Sequence, residues 1–284
     1  MTSKLSFLLL TIPILTSAQS AGDGQVRTRQ LWDTTLLDQR PSAKAPAAKP
    51  SAIKRPPATL VNGALVGITV WRLRPSKPAD EPAVRTLIHG DSGDQELTPE
   101  RVAASTPLAE GQKVRVSAEA TQEGYLYIID RDEYSDGGRS EPRLIFPTAR
   151  TRGGNNRVSA GKVIEIPDRS DDPNYFNVMR TKPGQLAETL TLLIAPKKIE
   201  GLRIGDDPLP LSESQVAAWE KSAKSQVLKL EETGLAGKAY TAAERDAAAG
   251  TRSLAQGDPV PQTMYRVDAK PGDMVMVRVP LKIK

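Results

Sequence analysis

Hydrophobic and polar positions alternate in short runs along most of this chain, and the runs predict strands. Residues 65–73 (LVGITVWRL) are apolar on both faces until Arg72, the pattern of a strand buried between layers. Residues 113–120 (KVRVSAEA) alternate strictly. Residues 124–129, 143–146, 162–166, 175–179 and 188–194 continue the series, each run set off from the next by Gly, Pro, Asp or Asn. Such punctuation predicts a mainly β fold, an antiparallel β-sandwich or barrel-like domain. Turn chemistry agrees: residues 135–138 (SDGG) and 153–156 (GGNN) tolerate positive φ, and Lys182-Pro183-Gly184 has the type II order.

The period then changes. Residues 212–215 (SESQ) form a capping box, and Val216, Trp219, Ala223, Val227 and Leu230 fall on one helical face, predicting a helix that Gly234 closes. A second capping box, residues 241–244 (TAAE), opens a short helix that Gly250 ends. Strand signals return at residues 263–267 and 273–279. The expected organisation is a β-rich domain over 61–284, with a small helical insertion at 212–250 and terminal strands at 262–283.

Ahead of this domain the chain reads differently. Lys4 is the one charge before an apolar run from Leu5 to Leu15, and the small residues Thr16, Ala18 and Ser20 follow. That is the layout of a cleavable secretory signal over residues 1–20, because about eleven apolar residues fall short of the ~20 a spanning helix needs. Residues 21–60 read as a disordered linker. Its part from Arg40 to Ala58, rich in Pro, Ala and Lys, predicts an extended solvated tether. The tether's Lys44, Lys49, Lys54 and Arg55 are suited to contact with anionic wall polymer or phospholipid.

Composition narrows the chemistry. The chain has no cysteine, which removes disulfides, thiolate catalysis, Cys-ligated zinc and the thiol of a lipoprotein anchor. The net charge of +5 falls to +4 once Lys4 leaves with the signal, since residues 1–20 carry no acid. This mild excess does not point to nucleic acid. Aromatics at 4% leave few stacking platforms for sugars or bases.

The motifs at residues 65–74, 108–116 (LAEGQKVRV), 124–128 (GYLYI), 144–147 (LIFP) and 156–161 (NRVSAG), with Ile166-Pro167, occur in an order that resembles the bacterial domain-of-unknown-function family 4384. Matching positions run from about Leu65 to Ala195. Gln112 replaces an Asp common in the family, and Ile145 sits inside its Leu-Phe-Pro phrase; neither alters the pattern of buried residues. The resemblance implies a β-rich accessory domain of bacterial exported proteins and does not imply a catalytic activity. Its motif residues have structural readings: Gly124 for a tight strand entry, Tyr125 and Leu126 on opposite faces, Phe146 in the core, Pro147 at a strand end, and Asn156 and Gly161 in turns.

Candidate chemistry is sparse. His89 is the one histidine, and no Gly-x-Ser-x-Gly elbow accompanies it. Residues 130–136 (DRDEYSD) invite a calcium reading but miss the EF-hand register, so they predict a solvated hairpin loop. Asp168, Asp171 and Asp172 form a second acidic group. Trp71, Tyr125 and Tyr127, with Trp219, are the aromatic residues a recognition patch would use, although core positions suit them equally. The function expected is an exported, non-enzymatic binding or assembly module of the bacterial envelope, without cofactor, partnered by another envelope protein or wall polymer through sheet edges or loops. An extracytoplasmic hydrolase using Asp130, Asp132 and Glu133 is the alternative, and a calcium-dependent adhesion module is a second.

Overall fold

The computed structural model describes residues 40–41, 63–88 and 93–284. The signal segment, nearly all of the linker and His89 lie outside the described residues. The domain is mainly β, a large mixed sheet with two helices, and the sheet does not close on itself. In chain order the strands are β1 (Ala64–Pro75), β2 (Thr86–Ile88), β3 (Gln95–Val102), β4 (Lys113–Ala120), β5 (Gly124–Tyr134), β6 (Arg143–Phe146) and β7 (Arg157–Val158). They continue with β8 (Val163–Ile166), β9 (Phe176–Asn177), β10 (Gln185–Ala195), β11 (Leu209–Pro210), β12 (Lys224–Glu231), β13 (Thr263–Val267) and β14 (Val275–Lys282). Helix α1 (Glu213–Ser222) precedes β12, and α2 (Ala242–Ala248) lies between β12 and β13.

Two curved halves share one core. In the first, β1 pairs β13 and then β3 along one edge and β4 along the other, and β4 in turn pairs β8. In the second, β10 sits between β5 and β14. Strand β12 joins them, antiparallel to β13 and parallel to β14. Alternate residues meet between the halves: Val66 and Ile68 of β1, Val114 and Val116 of β4, Leu126 and Ile128 of β5, Leu190 and Leu192 of β10, and Val277 of β14. Each such side chain, fully buried, contributes about 1.5–3 kcal/mol.

The outer faces are covered too. Helix α1 lays Val216 and Trp219 against Tyr127, Ile129, Leu193 and Met276. The segment between β12 and β13, including α2, lies over the outer face of β1 and β4. A strand buried on both sides needs apolar or mutually paired residues on both, which is why β1 reads as a nearly continuous apolar run.

Three sequence expectations need correction. The helix from the first capping box ends at Ser222, where the Ser222 hydroxyl donates to the Ala218 and Trp219 carbonyls, and Lys224–Glu231 is strand β12. Pairing with β13 satisfies this backbone, so the helical spacing of Val227 and Leu230 is overridden. The acid-rich run is not a loop tip: β5 continues through Asp130, Asp132 and Glu133 to Tyr134, and the turn comes after it. Arg40, at the head of the expected solvated tether, is buried.

Candidate functional site: a buried ion-pair layer around Trp71

On the outer face of β1, Gly67, Thr69 and Trp71 project in a row. Trp71 stands in register with Arg101 of β3 on one side and Arg115 of β4 on the other. Below them on β4 come Ser117 and Glu119, and β8 adds Glu165. An antiparallel sandwich leaves such alternate polar residues in water. Here the segment carrying Tyr240, Glu244, Leu254, Pro259 and Pro261 closes over them, and all three arginine–glutamate pairs are buried.

Each charge has an assigned partner. Arg101 bonds Glu244, Arg115 bonds Glu165 at 3.3 Å, and Arg40 bonds Glu119 at 2.6 Å. The aromatic groups lock the layer: Trp71 Nε1 donates to Ser117 Oγ at 2.7 Å, and the Tyr240 hydroxyl donates to Glu165 at 2.5 Å. The Trp71 and Tyr240 rings meet edge to face at 4.7 Å, with the Arg101 guanidinium 4.9 Å from the indole centroid. Gly67 permits the closure, because a Cβ there would lie 2.3 Å from the Pro261 ring.

Burial pushes Arg101, Arg115, Glu165 and Tyr240 toward neutrality. It lowers Arg101 and Arg115, with Glu244 and Glu165 opposing, and raises Glu165, with Arg115 opposing. Tyr240 is pushed well up, first by burial and then by the charge of Glu165. A guanidinium starts far enough above neutrality to stay charged, so each glutamate keeps a cation beside it. The layer balances charge and fixes the covering segment.

A second group of acids lies at one end of the core. Asp130, Asp132 and Glu188 share its inner face, with Asp132 directly opposite Glu188 across β5 and β10. Asp132 accepts from Thr181 Oγ1 at 2.6 Å and Gln185 Nε2 at 2.8 Å, and Glu188 accepts from the Met179 N–H at 3.0 Å. Asp130 Oδ1 is shielded with no hydrogen-bond partner. Burial, then the Asp132 charge, pushes Asp130 up to about 7. Glu188 is also pushed up to about 7, chiefly by burial. Glu133 points to the opposite face, so Asp130, Asp132 and Glu133 do not converge, and Glu188 takes the third place. Among the described residues no group of three His, Cys, Asp or Glu side chains could hold a metal ion.

The remaining acids shape turns. Asp171 accepts from the backbone N–H of Arg152 and Asp168, and Asp168 bonds the Arg152 guanidinium at 3.0 Å. Asp136 accepts from the Gly138 N–H.

The motif residues are mostly interior. Trp71 and Phe146 are buried, and Tyr127 is buried with its hydroxyl accepting from the Ile199 N–H at 2.8 Å. Tyr125 is half-buried beside Lys198. Gly124 packs against the Ala195 carbonyl, Pro147 follows the end of β6, Asn156 Nδ2 donates to the Leu126 carbonyl, and Gly161 turns with φ +68. They are spread through the fold and form no common patch.

Sequence reasoning missed the ion-pair layer because Arg115, Glu119 and Glu165 alternate with apolar residues, the signature of a solvated face. The signal that could have found them is Trp71: an indole on the same side of β1 needs a covered neighbourhood for its N–H and ring. No family model, curated protein or solved structure matches the chain.

Proposed function

We propose that this protein is an exported, non-enzymatic binding or assembly module of the bacterial cell envelope, and that it meets its partner along the open edge of β12. The signal-like residues 1–20, the absence of cysteine and the resemblance to the family of unknown function support export and an accessory role.

One observation carries the binding mode. Strand β12 pairs with β14 only at Lys224 and Ser225; from Gln226 onward, among the described residues, it has a partner strand on one side alone. There Val227 and Leu228 are 58% and 38% exposed. An unpaired edge with adjacent apolar side chains suits addition of an extended peptide strand, whose main chain supplies affinity and whose side chains supply specificity. The irregular register at Val227 and the charges of Lys224 and Lys229 limit indiscriminate pairing, as natural edges do.

The test is affinity capture from the envelope fraction with the mature protein and with a Val227→Lys/Leu228→Lys variant. A partner that the parent retains and the variant loses, at equal melting temperature, supports the reading. Recovery of the same proteins by both, together with hydrolysis of wall polymer by the parent, sinks it. The second reading, an extracytoplasmic hydrolase, draws on Asp130 and Glu188, whose raised carboxyls are poised near neutrality. That reading requires the hydrolysis to vanish in Asp130→Asn.

A further inference from the structure

Arg40 is joined to the domain by residues 42–62 and returns to it at a specific place. Its Nε donates to Glu119 Oε1 at 3.0 Å and its Nη2 to Glu119 Oε2 at 2.6 Å, a two-pronged contact that matches a planar guanidinium. Its Nη1 reaches the carbonyls of Ala255, Asp258 and Pro259 at 3.3–3.4 Å. These bonds go to one carboxylate and three backbone carbonyls. The Arg40 side chain is 0% exposed and that of Glu119 2%.

A site of this composition is selective. An ammonium cannot occupy both carboxylate oxygens and three diverging carbonyls with a rigid fork, whereas a guanidinium has five donors held in one plane. Without a cation the site keeps a buried carboxylate with no counter-charge, which is among the costliest arrangements a fold can contain. Next to Arg40, the Gln256 N–H donates to the Pro41 carbonyl at 3.3 Å. The 21 residues from 42 to 62 can span ~70 Å when extended, so the chain constrains where Arg40 goes only loosely.

We propose that the pocket around Glu119 is a guanidinium-binding site, filled in cis by Arg40 as a latch that fastens the head of the Pro/Ala/Lys stretch to the domain. An arginine on another peptide takes the site when Arg40 is absent. This inference is independent of the β12 edge.

The experiment uses the full chain carrying Arg40→Ala, with melting temperature as the readout. The variant melts about 10 °C below the parent, as expected for an uncompensated buried carboxylate in a domain of this size. A synthetic peptide of residues 37–42 (LDQRPS) raises its melting temperature saturably, the same peptide with Lys for Arg does not, and the parent responds to neither. Arg40→Ala/Glu119→Gln recovers much of the loss and ignores both peptides. Should Arg40→Ala fail to fold, Arg40→Lys, which keeps a cation near Glu119, takes its place in the titration. Equal responses to the arginine and lysine peptides, no response to either, or Arg40→Ala melting with the parent would each overturn the site. A parent melting temperature that rises with protein concentration would place Arg40 in a neighbouring copy and overturn the cis assignment.

Discussion

Asp132 and Glu188 stand opposite one another across β5 and β10, on the inner face of the core, with Asp130 one step along the same face. Three carboxyls this close cannot all ionise without repulsion, and burial adds to the cost. Asp130 and Glu188 are accordingly pushed up to about 7. Between about pH 4, where they ionise in the unfolded chain, and pH 7, the folded protein holds protons that the unfolded chain has released. Stability therefore falls as pH rises through that window and levels off above it, by on the order of 4 kcal/mol for each carboxyl. Urea unfolding at pH 4.5 and 7.5 measures this, and Asp130→Asn flattens the slope. A midpoint that climbs over the same range would refute the arrangement.

Asp80 works in the opposite sense and in a different window. The Arg74 guanidinium bonds it at 2.6 Å and holds its carboxyl well below the usual range, against the effect of burial. Its contribution is present above about pH 4 and is lost as pH falls below that. Asp80→Asn should weaken the fold most at pH 7 and measurably less near pH 2.5, where part of the contribution is already lost. Equal losses at both pH values would show that Asp80 acts through packing alone.

Gly124 opens β5 with its Cα against the Ala195 carbonyl, and a Cβ would lie 2.5 Å from that oxygen. Gly124→Ala must part β5 from β10 and should cost about 1–3 kcal/mol, the range of an overpacked core. Gly111 has φ +75 and open space around it, so Gly111→Ala should cost only about 1 kcal/mol. Comparing the two urea midpoints tests whether the close approach at Gly124 outweighs the backbone conformation at Gly111.

Most strands were legible because their inner faces alternate with period two, as in residues 113–120 and 124–129. The parts that were not legible share one physical cause: charge pairs that replace apolar contacts. Strand β3 carries Glu96, Pro99, Glu100 and Arg101 and shows no strand pattern, yet Glu100 bonds Arg72 and Arg74, and Arg101 bonds Glu244. Strand β12 was read as helix because Val227 and Leu230 have helical spacing, while its pairing with β13 is set by residues far along the chain. The candidate site was the least legible part. Trp71 and Tyr240 are 169 positions apart, and nothing local to Arg40 announces that its partner is Glu119.

Trp71 and Tyr240 hold the layer through different atoms, and their conservative variants separate the roles. Trp71→Phe removes the indole N–H that Ser117 accepts and part of the ring under Arg101. Tyr240→Phe keeps the ring and deletes the donor to Glu165, leaving that buried carboxylate with Arg115 alone. Each should cost about 1–3 kcal/mol, the penalty for an unsatisfied buried group. Adding Glu165→Gln should repair neither variant, because it leaves the buried Arg115 without its counter-charge. Repair of either variant by that change would contradict the assignment.

The two capping boxes look alike in sequence and should differ in energy. Ser212 accepts from the Gln215 N–H at 3.2 Å while the Gln215 side chain returns to the Ser212 N–H at 3.0 Å, all at the surface. Ser212→Ala should cost about 1 kcal/mol. Thr241 makes the same exchange with Glu244, but Glu244 is buried and its other oxygen bonds Arg101 beneath Trp71. The cap therefore also positions the counter-charge of a buried arginine, and Thr241→Ala should cost about 2 kcal/mol. A double-mutant cycle with Arg101→Met isolates the link: Thr241 and Arg101 should couple by about 0.5–3 kcal/mol, while Ser212 and Arg101 should add independently. Additivity in both cycles would mean that Glu244 finds Arg101 without its cap, and that the helix end plays no part in holding the layer.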